Sequence, residues 1–437
     1  MTASARRRRR NTIVAGVLAV VAALLAVGIT AVGASTLVNS RAGRDAAADR
    51  LPVALLPVTP TALVAVVDDA GRLTTMAVLV LDPSGVGGSI VPLPVSADSS
   101  LDIGDDRFPL DETYEVEGVE VFVGAAEAMT AVSFDVVEIV TADRIEEIVG
   151  RFGSIEVELP VPLVDDDEPA PVVEVGPSVL TAEEVAAALT ASTETQPDRL
   201  LDPARAAIWA GLAGRVGAGT GEAGPVGAGA PVPTPADLDE FLDRLFSGRV
   251  GFRELVARVP PAERNPRDVD VVVLDRAEVL LVFSQIAPAR VATPNESLTF
   301  RIEVGFDDAD LVPFGINNAD VARDVINRLL FARANVVSVT TDAGDVPDVS
   351  RATVVDPSLI DRVEEGWIEL LGDIVVEPAE FQLLGIDATI VVGRSYLELR
   401  EVEEDTGEMA PGGLTEPTEL GPTDDDPPDA DEPGAAG

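Results

Sequence analysis

The 437-residue sequence contains no cysteine and no histidine. Without thiols there is no disulfide, no thiolate nucleophile and no cysteine-built metal site. Without imidazole, Ser-His-Asp and HExxH chemistry are excluded as well. Any catalysis therefore falls to Asp, Glu, Arg, Ser, Thr or Tyr. Lysine is absent too, so the 31 basic residues are all arginine, against 76 acidic ones and a formal charge of −45. Such a body repels nucleic-acid phosphates and anionic lipid head groups, so a hydrophobic anchor is the remaining means of membrane attachment. Aromatic residues make up only 4% of the chain while 46% of it is hydrophobic. The cores are therefore built from Val, Leu, Ile and Ala, which suit strands and small-residue helices.

Five arginines, Arg6 to Arg10, precede an uncharged apolar stretch from Thr12 to Val38. A spanning helix needs about 20 such residues. The positive-inside rule leaves residues 1–11 in the cytoplasm and everything from Asn39 outside. A single-pass signal-anchor is expected, with the C-terminal domains extracytoplasmic. A cleaved signal peptide with a small-residue site near Gly33-Ala34-Ser35 is the other reading, but its apolar core spans only about 7–15 residues.

Beyond a stalk at 39–60, two apolar runs flank a turn containing Gly71 and predict a hairpin or adjacent buried strands within Thr61–Asp82. A third run follows at Ser89–Pro94. Helices are expected at Val119–Thr130 and Arg144–Phe152, and strands at Phe134–Val140 and Ile155–Leu159. Thr181 and Glu184 form a capping-box pattern before a helix reaching Ala191, and another helix runs from Pro203 to Leu212. This alternation is an α/β domain over 61–212.

A Gly/Ala/Pro linker occupies 213–236. A connector at 237–297 follows, with a helix opened by Thr234-Pro235 and strands at Val269–Leu274 and Val279–Phe283. A smaller α/β domain is expected at 298–399, with a helix over Asn318–Phe331 and another capped by Ser358 that carries Trp367 on its apolar stripe. The acidic remainder, 400–437, has the composition of a disordered tail.

Several local runs resemble the LytR-CpsA-Psr (LCP) family of cell-envelope proteins. The stretch Asp68-Asp69-Ala70-Gly71-Arg72-Leu73-Thr74-Thr75 is similar to the family's early DxxxxRxDT pattern. Ile90 to Ser96 falls where SIPRDT is expected, and Phe152 to Pro160 where GGVxVxxP is. Leu180 to Ser192, followed by Asp202-Pro203-Ala204-Arg205, is similar to the late LxGxxALxYxRxR and DxxRxxRQ patterns. Leu298–Leu399 resembles the LytR C-terminal domain, whose LGxDY ending falls at Val391 to Tyr396. The resemblance covers roughly Thr61–Leu212 and Leu298–Leu399, and it rests on order and spacing more than on identity.

The resemblance implies an α-β-α sandwich that transfers wall glycopolymers from a polyprenyl-pyrophosphate carrier to peptidoglycan. Arginines would clamp the pyrophosphate, aspartates would hold Mg2+, and an apolar tunnel would take the lipid tail. Carried over residue by residue, Arg72 and Arg205 keep the catalytic positions, and Asp68 and Asp202 keep the metal positions. Elsewhere the pattern is broken. Thr74 replaces an Asp, Val95-Ser96 replace Arg-Asp, Thr190 and Ser192 replace two arginines, and Ile208-Trp209 replace Arg-Gln. No arginine lies between Arg72 and Arg107 or between Arg151 and Arg199, so a register slip does not restore the clamp.

Plainer readings stand beside these. Arg72 is a solvated turn residue, Asp68 a strand end, Arg205 a surface ion pair, Asp165–Glu168 a solvated loop rather than a calcium site, and Trp209 and Trp367 are core. The expectation is a membrane-anchored, non-catalytic binding or scaffolding relative, a pseudoenzyme, whose partners are polyprenyl lipid, wall glycopolymer or other envelope proteins and not nucleic acid. Mg2+ is implied only if the pyrophosphate site survives. A divergent active LCP phosphotransferase and a structural adhesion module are the alternatives.

Overall fold

The computed structural model describes residues 51–100, 107–165, 170–193, 196–215, 232–294, 296–344 and 346–406. The apolar stretch at Thr12–Val38, most of the linker and the residues after Thr406 lie outside these. Among the described residues no helix is long and apolar enough to cross a membrane. The chain divides into two units, Met1–Ala54 with Glu380–Gln382, and Leu55–Ala379 with Leu383–Gly437. In the first, the Gln382 amide donates to the Pro52 carbonyl at 2.8 Å.

The second unit opens with a hairpin of β1 (Thr61–Val67) and β2 (Leu73–Leu81). Both strands are continuous aliphatic and threonine runs buried along their whole length, as expected where both sheet faces are covered. Gly71 takes φ +81°, the left-handed turn conformation that a side chain resists. Next come β3 (Gly88–Leu93), α1 (Leu110–Glu117), α2 (Val119–Thr130), β4 (Val136–Val140) and α3 (Ala142–Gly150). They are followed by β5 (Ser154–Leu159), β6 (Gly176–Thr181), α4 (Ala182–Thr190), α5 (Asp202–Ala213), α6 (Leu238–Ser247) and β7 (Val250–Phe252).

The central sheet has the order β4-β1-β2-β3-β7. β1 runs antiparallel to β2 and parallel to β4; β3 runs antiparallel to β2 and parallel to β7. Alternate residues feed two cores. Leu63, Ala65, Met76, Val78 and Val91 meet α1 and α2 through Leu110, Phe122 and Ala126. Ala62, Val64, Leu79 and Ile90 meet α3 to α6 through Ile145, Val185, Ile208 and Phe241. The expected α/β class is therefore present, as a sheet between two helical layers.

Two elements of the connector differ from expectation. Val279–Phe283, read as a strand, lies inside helix α7 (Arg276–Ile286), capped by Asp275 accepting from the amides of Ala277 and Glu278 at 3.0 and 3.1 Å. All five residues from Val279 to Phe283 are buried, so this stretch of the helix shows no polar position and looks like a buried strand in sequence. α6 begins at Leu238, with the Asp237 carboxylate accepting from the Glu240 amide at 2.9 Å, rather than at Thr234-Pro235.

The second sheet is built from β8 (Thr299–Glu303), β9 (Asn335–Thr340), β10 (Ser350–Val354), β11 (Ile374–Pro378) and β12 (Ala388–Val391), in the order β9-β8-β12-β10-β11. Helices α8 (Asn318–Phe331), α9 (Ile360–Leu371) and α10 (Arg394–Thr406) accompany it. Asp356, not Ser358, supplies the cap near α9, accepting from the Ser358 amide at 2.9 Å at the start of a single 3₁₀ turn.

α10 continues past Leu399 because Glu403 is buried against Arg328, whose Nη1 and Nη2 donate to its two oxygens at 2.9 and 2.7 Å. Arg328 also gives Nε to Asp324 at 3.1 Å and Nη1 to the Leu370 carbonyl at 3.1 Å. The Tyr396 hydroxyl donates to the same Asp324. This is a buried charged network with its partners in place, the condition under which burying charge is tolerated.

Candidate functional site

The β1–β2 turn builds one half of the candidate site. Asp68 accepts the amides of Ala70 and Arg72 through Oδ1, at 2.9 and 2.8 Å. Its Oδ2 accepts Arg72 Nε at 2.9 Å and the Ser192 hydroxyl at 3.0 Å. Arg72 Nη2 in turn donates to Ser192 Oγ at 2.7 Å, and the Ser192 amide donates to Asp165 at 3.2 Å. Burial alone would raise the Asp68 pKa, but the hydrogen bonds from Arg72 and Ser192 outweigh it and hold the carboxyl below its ordinary value. Arg72 is thus not simply solvated, and Asp68 does more than end a strand.

The other half lies where α4 ends and α5 begins. Arg205 was read as a surface ion pair, yet only 2% of it is exposed. Its Nη1 stands 3.0 Å from Asp198 and 3.7 Å from Asp202, and its Nη2 donates to the Ala191 carbonyl at 2.9 Å. Ser96, in the loop after β3, donates to Asp202 at 3.3 Å. Arg199 pairs with Asp270. Burial pushes the Asp202 carboxyl up to about 7 against the pull of Arg205, with Asp198 and Asp270 adding to the rise. Asp111 is also raised to about 7, first by burial and then by Asp198, Glu115 and Asp270.

Residues 191 and 192 join the halves, one carrying Arg205 on its carbonyl and the next carrying Arg72 on its hydroxyl. Asp68, Arg72 and Ser192 thus form one hydrogen-bonded cluster, and Ser96 with Asp202 a second, which meets Arg205 through a 3.7 Å ion pair; the backbone at 191 and 192 connects the two. Arg199, Asp198, Asp270 and Asp111 were not singled out from the sequence. The spacing of Asp198, Asp202 and Arg205 by four and three residues is the one signal that would have grouped some of them.

Asp202 and Arg205 open onto a cleft of about 600 Å³. Its walls are mainly apolar, with Pro92 and Leu93 from the sheet, Leu200 and Ala206 from the α5 side, and Leu255 and Val256 opposite; Arg199 and Glu254 add charge. Asp68 and Arg72 are outside this lining. Trp209 is buried beside it, its Nε1 donating to Thr75 at 3.2 Å.

Of the two candidate metal positions, Asp202 lines the cleft and Asp68 does not. Both Asp68 oxygens already accept two donors each. Among the described residues no three carboxylates converge as metal ligands.

Chemically, the arrangement offers an apolar cleft whose polar end holds two guanidiniums, both paired with carboxylates. One of those carboxyls, Asp202, titrates near neutrality.

No family model matches the chain, and no curated protein does. Solved structures do. The crystal structure of TagV of B. subtilis is similar at 14% identity, with a TM-score of 0.36, covering 51% of this chain and 94% of that one. TagT bound to LIIa-WTA is similar at 14% identity and a TM-score of 0.36, covering 52% and 88%. The LytR-CPS2A-psr family protein YwtF (TagT), with bound octaprenyl pyrophosphate lipid, is similar at 13% identity and a TM-score of 0.33, covering 51% and 86%.

Proposed function

We propose that the chain is an LCP-like protein of the cell envelope that binds the apolar part of a polyprenyl carrier without transferring its cargo. It would be anchored by the apolar stretch at Thr12–Val38, with its domains outside the cytoplasm. The observation that carries the reading is the charge balance at the cleft and at the β1–β2 turn linked to it through residues 191 and 192. Arg205 faces Asp198 and Asp202, Arg199 faces Asp270, and Arg72 faces Asp68. Ser96, Thr190 and Ser192 occupy positions where the resemblance calls for charged clamp residues. A pyrophosphate brings at least two further negative charges into a place where each arginine is already neutralised, a poorly compensated burial. The apolar walls remain suited to a hydrocarbon tail.

The test is binding of a polyprenyl pyrophosphate and of the matching monophosphate to the full chain in detergent, with and without magnesium. Equal affinities, indifferent to metal, are expected. A magnesium-dependent preference for the pyrophosphate would overturn the non-catalytic reading.

A second reading, a divergent transferase, is favoured by one observation. Asp202, with its carboxyl near 7 at the mouth of the cleft, has the proton affinity of a general acid or base at neutral pH. Product formation from a lipid-pyrophosphate donor, abolished by Asp202→Asn, would establish it.

A further inference from the structure

Three strands of the second sheet, β8, β10 and β12, bury one face and leave the other partly exposed to solvent, while β9 is buried on both faces as far as Val339. Phe300, Ile302, Ala352, Val354, Ala388 and Ile390 are buried, while the residues alternating with them, Arg301, Glu303, Arg351, Thr353, Thr389 and Val391, are half-buried or exposed. Sheets rich in parallel strands ordinarily cover both faces. Here Arg301 pairs with Thr389, while Glu303 and Arg351 both pair with Val391. Arg301 and Arg351 therefore stand on the same face, on either side of β12 and two residues apart along it, a backbone separation of about 12 Å by ordinary sheet spacing.

A groove of about 490 Å³ lies between them at the carboxyl ends of β8, β9 and β12, lined also by Glu303, Thr340 and Gly344. Ligands of open α/β sheets bind at this end of the strands. The groove wall is held in place. The Ala343 amide donates to the Val304 carbonyl at 3.1 Å, and the Arg394 amide to Pro347 at 3.0 Å. Gly305 lets this loop approach, since a Cβ there would sit 1.7 Å from the Ala343 oxygen.

The electrostatics run against those of the whole chain. Among the described residues that line the groove, two guanidiniums face one carboxylate in a protein of charge −45. Arg301 gives Nη2 to Glu303 at 2.8 Å, and its buried Nε has no hydrogen-bond partner. Beyond a backbone paired with Val375 and Val391, Arg351 makes no side-chain hydrogen bond or ion pair among the described residues. At the cleft described above Arg199 and Arg205 each pair with an acid, and the buried Nε and Nη1 of Arg205 also lack a hydrogen-bond partner, so the difference at the groove is Arg351.

We propose that this groove binds a phosphate group, with Arg301 and Arg351 donating from opposite sides and the Thr340 hydroxyl between them. A phosphate has enough oxygens to engage two guanidinium forks at once, whereas one fork satisfies a carboxylate. Glu303 already gives Arg301 its carboxylate partner. The site is independent of the apolar cleft and of its proposed role.

The test titrates inorganic phosphate into the full chain at low ionic strength, followed by calorimetry, with acetate as comparator. One saturable site is expected, weakened about tenfold by Arg351→Gln and by Arg301→Gln, and unchanged by Arg362→Gln, an exposed arginine of α9 that lines neither site. Glu303→Gln, which removes the competing carboxylate, should tighten it roughly threefold, a gain that arginines serving only to solvate the sheet would not give. Arg351 is exposed, so its variant should fold as the parent does. No saturable binding at tens of millimolar phosphate, equal affinity for acetate, or an unchanged Arg351→Gln would each overturn the proposal.

Discussion

Ser192 Oγ accepts from Arg72 Nη2 at 2.7 Å and donates to Asp68 Oδ2 at 3.0 Å, so one hydroxyl closes a triangle with both members of an ion pair. The residue stands where the family resemblance expects an arginine. A second guanidinium there would meet Arg72 over the same Asp68 carboxylate. A serine instead makes the existing pair self-sufficient.

Removing that hydroxyl should be felt in stability more than in binding. Ser192→Ala deletes two hydrogen bonds in a partly buried site, each contributing about 1 kcal/mol. Urea denaturation should show a loss of roughly 1–2 kcal/mol with lipid affinity unchanged. A loss of affinity without a loss of stability would move Arg72 from scaffold to ligand contact.

Asp202 should make stability depend on pH in a direction opposite to that of most carboxylates. Its folded pKa, about 7, exceeds the unfolded value of 3.8. Between these values the folded state holds the proton more tightly, so this contribution falls as pH rises from about 4 to 7 and is flat above. Asp202→Asn keeps an oxygen that can accept from Ser96 and removes the buried charge. It should flatten that slope and raise the melting temperature at pH 8. If Asn lowers the melting temperature there, the pairing with Arg205 outweighs the burial of the charge.

Legibility in the sequence followed the range of the interactions. The Thr181–Glu184 capping box, the Gly71 turn and helix Asn318–Phe331 were readable because their determinants are neighbours along the chain. Val279–Phe283 was misread because six consecutive buried residues, Val279 to Ser284, interrupt the polar face that would mark the helical period. At the site, the order of Asp68, Arg72, Asp202 and Arg205 was visible, but the pairing of Arg205 with Asp198 and of Arg199 with Asp270 was not. Asp270 reaches Arg199 across 71 residues of sequence, and no local pattern encodes that approach.

The same limit applies to α10, where an acid-rich composition suggested a tail from residue 400. Glu403 is instead bound by Arg328 from 75 residues away. Glu403→Gln leaves a buried guanidinium short of its countercharge, a loss of about 3–5 kcal/mol. Truncation after Leu399 should cost at least as much. Thermal unfolding of both variants beside the full chain measures this, and an unchanged midpoint would mean that the last two turns of α10 are dispensable.

Gly88 offers a sharper steric test. It begins β3 at φ +155°, and a Cβ there would lie 1.9 Å from the Val80 carbonyl oxygen on the neighbouring strand. Because the obstacle is backbone, Gly88→Ala forces the β2–β3 pair apart at its end. Destabilisation of about 2 kcal/mol or more is expected by chemical denaturation.

The cleft itself can be closed without touching its charges. Ala206 faces it from α5, half-buried, between Arg205 and the core residue Ile208. Ala206→Trp would fill much of the apolar space while leaving Arg199, Asp202 and Arg205 in place. If the hydrocarbon tail supplies the affinity, the variant should lose polyprenyl monophosphate and pyrophosphate binding alike, by about tenfold or more, with thermal stability near that of the parent. If the head group supplies it, Arg199→Gln should be the more damaging change, and Ala206→Trp should leave binding of a short-chain pyrophosphate intact. The pair of variants thus separates the two ends of the cleft, because one alters volume at constant charge and the other alters charge at nearly constant volume.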